Sequence, residues 1–135
     1  MMQLKMNMIL GAHKLKIIFL FFFFSLALQA EPIEGILAEI QILDKITARV
    51  KTLEIKVNNS IQFESLNIEI YACYKKPPEE VPEDFVLLKI FDEMSQKGEE
   101  LIYQGWMISS SPSATPLEHP IYDLWLKDCK IKIDF

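Results

Sequence analysis

Alternation of apolar and polar residues at period two constrains this chain more than any other feature. Leu66, Ile68, Ile70, Ala72 and Tyr74 take every second position, so a strand would set all five on one face. The same period recurs in Ile36, Ala38, Ile40 and Ile42, then in Ile46, Ala48 and Val50. Leu53, Ile55 and Val57 follow in the opposite parity, which predicts a bend, a bulge or two short strands near Thr52. Ile61 and Phe63 lead into the longest run, where a regular strand would turn Cys73 away from Ile70. Residues 85–91 read as a buried strand, 101–108 as another interrupted by Gly105, and 121–126 and 129–135 as a last pair around Lys127-Asp128.

Punctuation supports the same architecture. Asn58-Asn59-Ser60 is a turn, residues 75–84 form a Pro-rich acidic loop, and residues 109–120 hold four Ser and three Pro, too irregular for helix or strand. The helical candidates after the leader amount to a turn or two within 113–119. The expected fold is all-β: a single small antiparallel β-sandwich or barrel-like domain of about seven to nine short strands, after an N-terminal signal helix.

The first thirty residues follow a different logic. Lys5, Lys14 and Lys16 form a basic leader without an acid, residues 17–28 are an apolar run with Ser25 as its one polar residue, and Leu28-Gln29-Ala30 ends on a small residue before Glu31. That order reads as a signal peptide, residues 1–30, ahead of one domain, residues 31–135. As a helix, residues 17–30 would be about 21 Å long, short of the roughly 30 Å hydrocarbon core, which favours cleavage over a permanent span. An uncleaved anchor is the alternative, because Leu28 is bulky for its place before the cut.

Cleavage leaves all 19 acids against 11 of the 14 Lys and Arg, a formal charge of −8. No basic stripe interleaves with aromatics, so nucleic acid is not an expected partner, and membrane contact is expected only through an uncleaved leader. Two cysteines, Cys73 and Cys129, make one disulfide the default in an oxidising compartment. Two isolated Cys and one His do not make a zinc site, and nothing in the pattern calls for a metal or another cofactor. His119 is the only histidine after the leader, so a general base near neutral pH would have to be this one. Ser109, Ser110, Ser111 and Asp123 lie near it in sequence, but there is no Gly-x-Ser-x-Gly elbow, and no catalytic residue is assigned. The plainer reading has His119 pinning an irregular loop to backbone carbonyls with help from Glu118 or Asp123. Trp106, Tyr122 and Trp125 are either a platform for a glycan or peptide or filling for the core.

Together these fragments resemble a bacterial family. Leu43-Asp44-Lys45 with Thr47-Ala48-Arg49, Phe63-x-Ser65-Leu66 and Cys73-Tyr74-Lys75-Lys76-Pro77-Pro78 carry the first half of the likeness. Gly105-Trp106-Met107, Ser110-Ser111-Pro112, Leu117-Glu118-His119-Pro120, Tyr122-Asp123-x-Trp125 and Asp128-Cys129 carry the second. The pattern, over about residues 40–130, is similar to the bacterial domain of unknown function 2155, short exported proteins of alphaproteobacteria. It departs at Asn58 and Glu64, where the family tends to have glycine. The resemblance implies a Gram-negative periplasm reached by the general secretory route, Cys73 paired with Cys129, and residues 109–125 as a characteristic surface or strut. It implies no activity.

Two function classes follow. The first is a non-catalytic module that binds another envelope protein, with the loops 75–84 and 109–120 at or near an exposed patch. The second is a hydrolase of envelope polymer with His119 as base and Glu118 or Asp123 orienting it. A subunit of an inner-membrane complex, anchored by an uncleaved leader and facing the periplasm, is a third possibility.

Overall fold

The computed structural model describes residues 30–94, 96 and 98–132; the leader expected at residues 1–30 lies outside them but for Ala30. Seven strands run in chain order: β1 (Ile33–Asp44), β2 (Arg49–Lys56), β3 (Ser60–Phe63), β4 (Leu66–Lys75), β5 (Asp84–Asp92), β6 (Glu100–Ile108) and β7 (Tyr122–Ile131). All pairings are antiparallel, in the order β2-β1-β4-β5-β6, with β3 added to β4 and β7 to β1. A single 3-10 turn, Pro112–Ala114, interrupts the segment between β6 and β7. The all-β architecture is therefore the one the alternation predicts.

β1 organises the molecule. Its first residues, Ile33 and Glu34, pair with Lys75 and Tyr74 of β4, and the rest runs between β2 and β7. The ladder thus folds over on itself at β1 and packs as two layers around one core. Ala38, Ile40 and Ile42 of β1, Ile68 and Ile70 of β4, Leu88 and Ile90 of β5 and Leu126 of β7 all point into it. Each fully buried Leu or Ile contributes roughly 1.5–3 kcal/mol. Cys73 of β4 and Cys129 of β7 tie the layers together as a disulfide, their Cα atoms 5.9 Å apart.

Four elements differ from the alternation. Ile46 and Ala48 belong to a turn, residues 45–48, and not to a strand, while Val50 in β2 is exposed. The cause is Asp44. Its Oδ1 accepts from the backbone N–H of Ile46 at 2.8 Å and of Thr47 at 3.1 Å, and its Oδ2 accepts from the Thr47 hydroxyl. That bonding favours a turn over continued pairing, so the change of parity falls at the turn and β2 is one strand.

Cys73 shares the inward face with Ile70, because the register of β4 on β5 slips between Ile70 and Ala72 and Tyr71 is extra. A similar slip between Gly35 and Leu37 leaves Ile36 outside. Finally, Lys127-Asp128 does not separate two strands. β7 is continuous, with a bulge where Glu39 and Ile40 face Asp128 and Leu126. Asn58 and Glu64 both take positive φ, at 63° and 50°, the conformation a glycine adopts at least cost.

Candidate functional site

Two regions gather the residues that the motifs single out. The first is the end of the sandwich where β1 and β5 finish and β7 begins. His119 is buried there, and its ring Nδ1 accepts from the backbone N–H of Ile121 at 3.2 Å and of Tyr122 at 3.1 Å. Two donors on Nδ1 leave the ring proton on Nε2, which lies 3.3 Å from Asp92 Oδ2. The ring stacks on Tyr122, centroids 5.3 Å apart. The His119 carbonyl accepts from Lys45 Nζ at 2.7 Å, and the Lys45 N–H bonds the Ile121 carbonyl. Burial pulls the Asp92 carboxyl up, but bonds from the Met94 N–H, the Ser65 hydroxyl and His119 hold it below its ordinary value.

Both imidazole nitrogens are thus committed, so neither is free to take a proton from a substrate or a water. His119 pins a loop. Its ring partners are two backbone N–H groups and a carboxylate, where the sequence suggested backbone carbonyls. The carboxylate is Asp92, not Glu118 or Asp123. Glu118 is exposed, and Asp123 pairs with Lys45 at 2.9 Å. No spacing rule links position 92 to position 119, which is why the sequence did not reveal the pair.

The second region is the outer face of the sheet formed by β4, β5 and β6. Trp106 is 44% exposed and leans on Tyr74, with ring centroids 6.0 Å apart. Leu87 stands between Ala72 and Trp106 in the same row, and Phe85 between Tyr74 and Ile108 in the next. A solvated antiparallel face normally alternates to polar residues; this one carries two rows of apolar ones.

The two irregular loops are clamped together beside it. Glu83 accepts from the Ser109 hydroxyl and the Ser110 N–H, both at 2.9 Å, and from the Ser110 hydroxyl. Those bonds overcome the effect of burial and keep the Glu83 carboxyl below its usual range. The Ser109 hydroxyl in turn accepts from the Asp84 N–H. Thr115 donates its hydroxyl to the Trp106 carbonyl at 3.0 Å. Of this region the sequence marked only Trp106 as a site residue; Tyr74 stood in an alternating run and in a family motif, and Glu83 in the Pro-rich acidic loop, whereas nothing set Phe85, Leu87 or Thr115 apart.

Trp125 is half-buried and fixed by its Nε1–H to Gln41 Oε1 at 3.0 Å. It lines a groove with Pro112, Pro116 and Leu117. Around the disulfide lies a ladder of charge. Lys75 bridges Asp84 and Asp128, and Lys130 bridges Asp128 and Glu39, which Lys127 also reaches at 2.6 Å. Burial holds Asp84 above the usual carboxyl range despite Lys75, whereas Lys127 and Lys130 hold Glu39 below it. Among the described residues, no three His, Cys, Asp or Glu side chains group in a way that could hold a metal ion.

Comparison with known proteins places the chain without giving it an activity. It is 33% identical over 87 residues to an uncharacterized protein of Rickettsia prowazekii (strain Madrid E); the match covers 64% of this chain and 56% of that protein. No solved structure matches. The profile of DUF2155, described as an uncharacterized protein conserved in bacteria, matches residues 38–129. Those residues include both regions above, and the chain belongs to this family.

Proposed function

We propose that this protein is an exported, non-catalytic module that docks onto another protein of the cell envelope through the Tyr74–Trp106 face. The observation that carries the reading is the clamp made by Glu83. It holds the loops 75–84 and 109–120 together beside an apolar face with an exposed tryptophan. Exposed aromatic residues on a rigid platform are the usual anchors of protein interfaces. The basic and apolar leader supports export, and the charge of the domain speaks against an anionic membrane or nucleic acid as the surface met. Catalysis by His119 is disfavoured by the engagement of both ring nitrogens.

Photo-crosslinking in living cells tests the reading, with the reactive residue placed in turn at Lys76, Trp106 and Ser113, and at Asn59 as a distant control. Capture of the same envelope protein from the first three sites and not from Asn59 is the expected result. Silence at all three, with the protein folded and exported, overturns it. Trp106→Ala is expected to weaken capture from Ser113 at least tenfold and to leave the domain folded, since Trp106 is 44% exposed and stands outside the core.

A further inference from the structure

A cleft at the His119 end of the sandwich takes no part in the docking surface. Its volume is about 330 Å³, at the lower limit of what holds a small molecule. Arg49 and Lys51 of β2, Phe63 of β3, Glu64 in the turn after it, and Tyr122 of β7 line it, with Asp44 and Thr47 at one side. The register makes its chemistry unusual. Lys51 and Arg49 stand opposite Ile42 and Asp44 of β1, at the same parity as Leu53 and Ile55, which serve the core. Two cations therefore occupy positions that belong to the core further along the same strand.

Lys51 Nζ lies 5.2 Å over the Phe63 ring, and Phe63 meets Tyr122 edge-on with centroids 5.8 Å apart. The cleft thus has aromatic lining beneath the cations. Asp44 spends both carboxylate oxygens on its own turn, so Arg49 feels it only through space. Toward Tyr122 the sign reverses. Burial first, then the charges of Glu64, Asp44 and Asp92, hold the Tyr122 hydroxyl above its ordinary range. Arg49 and Lys51 thus reach the lining from β2, where Asp44 turns its carboxylate to its own backbone, and Glu64 reaches it from the turn after β3, with Phe63 and Tyr122 in the same lining.

We propose that this cleft binds a small zwitterion, a free α-amino acid with an apolar or aromatic side chain. Its carboxylate meets Arg49 and Lys51, its ammonium meets Glu64, and its side chain lies against Phe63 and Tyr122. A simple anion leaves Glu64 unanswered, and a simple cation leaves Arg49 and Lys51 unanswered; a ligand with both charges answers all three. The cleft is at the opposite end of β4 from Tyr74, so the failure of this proposal and the failure of the docking reading are distinguishable.

Saturation-transfer NMR on the protein purified from expressing cells provides the test, with L-phenylalanine, phenylacetate and phenethylamine as probes. L-Phenylalanine is expected to bind, and each singly charged analogue to bind at least tenfold more weakly. Arg49→Gln is expected to weaken L-phenylalanine at least tenfold while leaving phenethylamine unchanged, and Glu64→Gln to weaken both. Lys51→Gln repeats the first expectation should Arg49→Gln fail to fold. No transfer at millimolar L-phenylalanine, phenylacetate binding as tightly as L-phenylalanine, or binding indifferent to both cation substitutions overturns the proposal.

Discussion

A single imidazole with both nitrogens engaged determines what the segment before β7 can do. His119 gathers two N–H donors, a carboxylate from the end of β5 and a tyrosine face, and its carbonyl takes the ammonium of Lys45. Replacement by alanine leaves the part-buried N–H groups of Ile121 and Tyr122 without an acceptor, at roughly 1–3 kcal/mol each where water cannot reach them. His119→Ala is therefore expected to lower unfolding stability in urea by about 2–4 kcal/mol, against less than about 0.5 kcal/mol for the exposed Glu118→Ala. Equal losses in the two variants would sink the pinning role. The need for ring partners was legible in the sequence, because a histidine buried in a Pro-rich segment has two nitrogens to satisfy. Asp92 and Lys45 were not legible, because contacts across 27 and 74 residues leave no local trace.

At the scale of the strand, periodicity found six of the seven elements and missed where the pattern slips. Each miss has a local cause: the Asp44 side chain capturing the 45–48 turn, extra residues near Ile36 and Tyr71, and a bulge at Lys127. Bulges cost little and leave the composition of a strand unchanged, so alternation alone does not register them. One of them has an energetic consequence. Beside the slip after Gly35, a Cβ at that residue would lie 3.2 Å from the Cys73 carbonyl oxygen and 3.3 Å from Cys129 Cβ and the Lys130 carbonyl oxygen. β1 therefore passes the disulfide at a distance only glycine allows without adjustment. Gly35→Ala is expected to cost about 1–3 kcal/mol in urea unfolding. The bridge it touches closes a loop between positions 56 residues apart, worth roughly 4 kcal/mol by loop entropy. Cys73→Ser with Cys129→Ser should lower the urea midpoint accordingly; an unchanged midpoint would exclude the bridge as a stabilising link.

Across the whole molecule, paired carboxylates set the response to acid. Lys127 and Lys130 hold Glu39 down, and bonding overcomes burial at Glu83, Asp92 and Asp128. A carboxyl depressed by folding contributes stability above its unfolded value near pH 4, and that contribution is lost as pH falls through the folded value. Asp84, raised by burial, acts with the opposite sign: its contribution is full at low pH and fades as pH rises through its folded value. With Asp44, held down by its bonds to Thr47 and Ile46, five depressed carboxyls oppose one raised one, so the urea midpoint is expected to fall steadily between pH 5 and pH 3. A flat or rising profile would show that these carboxylates do not govern acid stability.

The placement of β1 between β2 and β7 also has a consequence in time. Gly35 pairs with Ile131 and Asp44 with Tyr122, partners 96 and 78 residues away. A chain that emerges amino end first must carry β1 half-paired until β2 to β6 have all appeared. Until then Cys73 also lacks its mate, and the Cys73 side of the core has no β7 to cover it. Pairings this distant place the domain among slow, millisecond-to-second folders. β7, the seventh strand in chain order, is the one that completes β1.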